Sequence, residues 1–151
     1  MPVLELDVSY AARRPWTPRP GEFERWAAAA VAARLEGCVV LSVRIVGAAR
    51  SRSLNARYRG KDKPTNVLSF AGAGTAPDGR RFLGELVICA PVVARESRTQ
   101  RKRQEAHWAH MTVHGVLHLL GFDHEVEGAA RKMAAAEVQI LDRLGFTNPY
   151  V

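Results

Sequence analysis

The stretch His114-Gly115-Val116-Leu117-His118-Leu119-Leu120-Gly121-Phe122-Asp123-His124 decides how the rest of this chain is read. His114 and His118 are four apart, so on a helix their side chains lie one turn apart on the same face. The apolar residues around them predict a long buried helix over Glu105 to Leu120. Gly121 stands where a left-handed residue would close that helix. The chain can then turn back and deliver His124 towards the two helical imidazoles. Three neutral imidazoles converging in this way form an open tetrahedral zinc site, one zinc per chain, with the fourth position left for water.

The same histidine spacing, with Gly at the same offset, occurs in the long zinc-protease motif HExxHxxGxxH, where the Glu after the first His is the general base. Here that position is Gly115, which neither takes nor gives a proton. The metal geometry is present and the peptidase base is absent. His107 and His110 continue the helical stripe at offsets of three and four. His110 competes with His124 as third ligand, but three imidazoles down one helix spread over two turns, too far for one ion with Zn–N near ~2.1 Å. The bend at Gly121 therefore selects His124. Asp123 either orients a ligand imidazole through its other ring nitrogen or caps the turn.

With 151 residues, the chain is read as one domain spanning 1–151. An apolar fraction of 47% argues against disorder. The formal charge of +7 suits a polyanionic partner, though charge alone does not separate RNA from DNA or anionic lipid. Cys38 and Cys89 fall in apolar runs and are expected to be two buried thiols rather than a disulfide or ligands. No apolar run reaches membrane-spanning length and the N-terminus lacks a signal pattern, so the expectation is a soluble, cytoplasmic protein.

Outward from the histidines, Leu4, Leu6 and Val8 alternate with Glu5 and Asp7 as a half-buried strand. Arg13 to Pro20 is a loop. Gly21 to Leu35 is a helix with an apolar stripe through Phe23, Trp26, Ala27, Ala30 and Val31, and Arg34 packs its stem at the last turn. Cys38 to Val46 is a strand rich in β-branched residues. A helix over Ala48 to Tyr58 and a strand over Thr65 to Phe70 follow. Ala71 to Arg81 is a flexible hairpin connection, Phe82 to Cys89 the fourth strand, and Pro91 to about Gln100 a helix. Glu127 to Leu144 is an amphipathic helix with Met133 at a core position. The fold class is α+β: a single domain with a small mixed four-stranded sheet, packed by helices around the central histidine-bearing helix.

The histidine stretch is similar to the H-G-x-L-H-L-x-G-x-D-H signature of the YbeY-type endoribonucleases, a family of bacterial rRNA maturation factors. Tyr58-Arg59-Gly60-Lys61-Asp62-Lys63-Pro64-Thr65-Asn66-Val67-Leu68-Ser69-Phe70 resembles the second hallmark of that family, departing at Asn66 where Asp is usual. Leu83-Gly84-Glu85-Leu86-Val87-Ile88 resembles its Gly-Asp/Glu strand. The resemblance implies a zinc-dependent, single-strand-specific RNase acting on ribosomal RNA, notably the 3′ end of the small-subunit RNA, and in ribosome quality control. It further implies the small ribosomal subunit as partner, with a ribosomal protein or an assembly GTPase beside it.

Under that resemblance the metal ligands are His114, His118 and His124, and the catalytic candidates are Arg59 and His114. The planar five-donor guanidinium of Arg59 suits a phosphate. Glu85 either positions a water at the metal or is a strand carboxylate paired with an Arg. His107 and His110 support the site, face RNA or simply pack. Arg50, Arg52, Arg57, Arg59, Lys61 and Lys63 form one basic run; Arg95, Arg98, Arg101, Lys102 and Arg103 form another, read equally as solvated face or RNA contact. Two other classes stay open: a zinc hydrolase of a different substrate, and a non-catalytic zinc-containing rRNA-binding assembly factor. Structural zinc is usually closed by a fourth protein ligand, which weighs against the second.

Overall fold

The computed structural model describes residues 2–122 and 126–151. Its elements run β1 (Val3–Tyr10), α1 (Pro20–Val31), β2 (Cys38–Val46), α2 (Ala48–Arg59), β3 (Val67–Thr75), β4 (Arg81–Cys89), α3 (Ala90–Thr99), α4 (Gln104–Leu119) and α5 (Glu127–Arg143). The sheet order is β1-β2-β4-β3. β1 and β4 pair parallel with β2, and β3 closes the edge antiparallel to β4. The expected α+β domain with a mixed four-stranded sheet is therefore the observed one.

Most element boundaries fall within a residue or two of the sequence reading. The region over Ala71 to Arg81 differs. β3 continues to Thr75 and β4 begins at Arg81, so the expected hairpin connection is present but shorter, its first part belonging to β3 with a register shift between Ala71 and Gly74. Small Gly and Ala side chains, read as loop composition, are what lets these strands approach closely. α1 is also shorter than expected and ends at Val31, leaving Arg34 in the following turn. From there its guanidinium donates to the carbonyl of Leu120 at 3.3 Å and lies over the Phe122 ring. It thus steadies the exit of α4.

The main core lies between the sheet and α1, α4 and α5. Phe23, Trp26, Ala27, Ala30 and Val31, the stripe read from the sequence, are all fully buried there, with Val39, Leu41, Val43 and Ile45 of β2 facing them. A smaller cluster on the other face joins Val46, Leu68, Val87, Cys89 and Val92 with Leu54 of α2. Cys89 is buried as expected, whereas Cys38 is only half-buried with its thiol donating to Glu5, because β1–β2 is the outer pair.

Gly115 sets how near α4 lies to the sheet. A Cβ there would meet Leu86 Cδ2 at 2.8 Å and both Leu86 Cδ1 and Val67 Cγ2 at 3.2 Å. Its carbonyl accepts from the Ser69 hydroxyl at 3.0 Å. A side chain at this position would enter the core rather than reach solvent, so the protease-type base is excluded by packing as well as by residue type. Gly115→Ala is expected to destabilise the fold by up to about 2 kcal/mol. Overpacking costs about 1–3 kcal/mol, against about 1 kcal/mol of improved helix propensity. Urea denaturation measures the difference, and a variant as stable as wild type would contradict this packing argument.

Candidate metal centre and groove

α4 ends as its sequence demands. Gly121 takes a left-handed conformation with φ of 96°, and the amide of Phe122 donates back to the carbonyl of Leu117 at 3.0 Å. This leaves His114 and His118 on the last two turns, their rings 4.7 Å apart between centroids. Two imidazoles sharing one zinc at Zn–N of about 2.1 Å have centroids roughly 5 Å apart, so this pair fits a common metal. His124, expected as the third ligand, and Asp123, read as either orienting a ligand or capping the turn, lie outside the described residues.

His114 and His118 open onto a cavity of about 790 Å³ between the end of α4, strand β3 and the end of α2. Its other walls include Tyr58, Arg59, Asn66, Ser69 and Phe70. Arg59, one residue past the helix expected over Ala48 to Tyr58, is the last residue of α2, closed by left-handed Gly60. A cation is favoured at that end of a helix, and Arg59 is exposed and directed to the same groove as the imidazoles. Tyr58 packs edge-on against Phe70 at 5.1 Å, which braces the wall that carries Arg59. Arg52, from the same basic run, is committed elsewhere, held by both oxygens of Asp62 at 2.7 and 2.9 Å.

The buried side of α4 is polar in a way the sequence reading missed. Glu137 of α5 is 1% exposed. It lies 2.5 Å from Nε2 of His110 and 3.4 Å from Nδ1 of His114, and the Tyr150 hydroxyl donates to both its oxygens at 3.0 Å. Burial alone would raise the Glu137 carboxyl, but the hydrogen bonds from His110 and His114 bring it down to about 2. Burial also holds His110 below its usual value, against the opposing pull of Glu137. We assign an ionised carboxylate facing a neutral His110. His110, His114 and Glu137 present donors within 4.8 Å of one another and could hold a metal ion. The available signal was an acidic residue on the apolar stripe of α5, four after Met133 and three before Ile140.

His107 is also buried, and its Nε2 lies 2.8 Å from Glu96, which accepts from the Asn66 amide as well. The amide at position 66 thus donates where an acid would repel Glu96. Burial would raise the Glu96 carboxyl, but the bonds from His107 and Asn66 outweigh it and hold it below the usual carboxylate value. A carboxyl depressed in the folded state adds stability that is present above its unfolded pKa and lost as pH falls through the folded one. Glu96→Ala leaves the buried His107 nitrogen unsatisfied and is expected to cost about 1–3 kcal/mol at pH 7, less in acid. Chemical denaturation at pH 7 and pH 3 measures this; an equal loss at both would contradict it.

Glu85 is placed away from all of this. The partners of β2 skip from Phe82 to Gly84 at Val40/Leu41, so Leu83 and Leu86 both face the main core. Glu85 is left on the opposite face, paired with Arg44 at 3.2 Å. The alternative of a water-positioning carboxylate is thereby set aside. The second basic run is also separate from the groove: Arg101, Lys102 and Arg103 line a different cavity with Arg25 at the start of α4.

Fold and groove together define an α+β domain with a helix-borne imidazole site facing an arginine across a groove at the sheet edge. The chain matches the model of the endoribonuclease YbeY family over residues 19–145. It belongs to that family, whose members are described as endoribonucleases, which supports a nuclease role. The fold is similar to the solution structure of TM1509 from Thermotoga maritima, with a TM-score of 0.56 and 20% identity over 93% of this chain and 92% of that one. Among the described residues no helix is long and apolar enough to cross a membrane.

Proposed function

We propose that this chain is a zinc-dependent, single-strand-specific endoribonuclease acting on ribosomal RNA in the cytoplasm, notably at the 3′ end of the small-subunit RNA and in ribosome quality control. The observation that carries this reading is one cavity lined by His114, His118 and Arg59 in a chain of the YbeY family. His114 and His118, with His124, would hold the zinc. When bound, zinc supplies Lewis-acid charge at a phosphate oxygen and makes water more acidic.

The chain's own residues supply the rest. A phosphodiester entering the groove meets imidazoles on the α4 wall and a guanidinium on the α2 wall. Arg59, with its donors in a rigid fork, is suited to the charge that builds on the equatorial oxygens during transfer. Asn66 is held by Glu96 and Ser69 by the Gly115 carbonyl, so the floor of the groove is polar and fixed. With Gly115 turned into the core and Glu85 on the far face, neither supplies the general base.

The test is incubation of the protein with single-stranded RNA, duplex RNA and casein, with and without chelator. Cleavage of single-stranded RNA alone, abolished by chelator and restored by zinc, is the expected result. Bound metal with no cleavage would move the chain to the assembly-factor reading, and casein cleavage to another hydrolase. Affinity for single-stranded RNA should fall steeply with salt, because phosphate contacts release counterions. Neutralising Arg101, Lys102 and Arg103 together should flatten that slope if their separate cavity also meets RNA; an unchanged slope leaves them a solvated face.

A further inference from the structure

We propose that Glu137 is the positioning residue of this site: clamped by His110 and Tyr150, it holds His114 in the Nδ1-protonated tautomer, so that Nε2 carries the lone pair. The proposal rests on the zinc reading above and adds to it a residue from α5 that the histidine motif does not contain.

A carboxylate is unfavourable in a core unless donors surround it. Glu137 sits among Met133, Ile140 and Leu141, all buried, yet three donors converge on it: the Tyr150 hydroxyl, His110 and His114. With the Tyr150 hydroxyl donating to both oxygens and two imidazole nitrogens approaching the same carboxylate, the carboxylate accepts and the nitrogen each imidazole turns to it carries the proton. Neutral His114 has one N–H, and with that at Nδ1 its Nε2 carries the lone pair that a metal would take. Imidazole torsions are otherwise broad, and either tautomer is accessible to a histidine without such a partner. Carboxylates placed behind ligand histidines act in this way in metal sites generally.

The His110–Glu137 distance argues against those two sharing one ion. The 3.4 Å from His114 Nδ1 to Glu137 fits a hydrogen bond and shared ligation alike, which the saturation measurement below separates. Donors sharing one tetrahedral zinc at about 2.1 Å are separated by roughly 3.4 Å. His110 Nε2 and Glu137 Oε2, at 2.5 Å, are instead at hydrogen-bonding distance. Tyr150, from the segment after α5, lies against both at 3.3 Å or less, so that segment closes the clamp.

Two readouts test the proposal on the full chain: zinc affinity by competition with a chromophoric chelator, and the His114 tautomer by ¹⁵N NMR of zinc-free protein at pH 8. Wild type should show Nδ1–H at His114. Glu137→Gln should mix the tautomers and weaken zinc about 10–100-fold while still binding one zinc at saturation. Tyr150→Phe, which removes one hydroxyl and keeps the ring, should shift both readouts the same way by less, and carries the test if Glu137→Gln folds poorly. An Nε2–H tautomer in wild type, or unchanged tautomer and affinity in both variants, would overturn the proposal. So would loss of stoichiometric zinc in Glu137→Gln, which would make Glu137 a ligand. If wild type binds no zinc, the zinc reading fails, and the tautomer measurement alone still decides whether Glu137 sets His114.

Discussion

Arg59→Ala is expected to cleave single-stranded RNA on the order of 10²–10³-fold more slowly than wild type at saturating substrate, with zinc content and melting temperature unchanged. The residue is exposed at the last turn of α2, so its truncation opens no cavity in the core. It shares a groove with His114 and His118, which places its charge across from the imidazoles. A group that meets charge only in the transition state lowers the rate more than the affinity when it is removed. A general phosphate contact does the reverse. Arg59→Lys separates charge from geometry, since the ammonium keeps the charge and loses the bidentate fork. Single-turnover kinetics provide the measurement, and a wild-type saturating rate in Arg59→Ala would remove this residue from the chemistry.

The metal assignment carries the second large effect. Wild type is expected to bind one zinc per chain, and His114→Ala, His118→Ala and His124→Ala to weaken it by more than about 100-fold, beyond what loss of a supporting residue costs. His110→Ala should still bind one zinc at saturation, because its ring meets the carboxylate of Glu137 rather than the groove. His114 belongs to both arrangements, so its loss does not discriminate between them. The contrast between His110 and His124 does. Full zinc in His124→Ala with loss in His110→Ala would move the ion into the buried group of His110, His114 and Glu137. Metal analysis after dialysis, followed by chelator competition, reads the outcome.

Much of the fold was legible because its signals are local. The α1 stripe, the β2 run of β-branched residues and the Gly121 cap depend on neighbours within a few residues, and each is found as read. The strands around Gly72 and Gly74 were not legible, since a Gly- and Ala-rich segment looks the same as loop or as close-packed ladder until its partner is known. Arg59 falls one residue beyond the helix read over Ala48 to Tyr58, because the chain runs on to the left-handed cap at Gly60.

The sequence by itself determined the α+β class, the element order, the family and the one-turn spacing of His114 and His118, because periodicity and spacing along a helix follow from covalent geometry. Tertiary structure alone decided which groups meet those imidazoles. A skipped partner between β2 and β4 turned Glu85 to the far face with Arg44. The packing of α5 on α4 brought Glu137 to His114 from 23 residues away, and the final segment added Tyr150. Such contacts depend on strand register and helix docking summed over the whole core, and no local pattern encodes them.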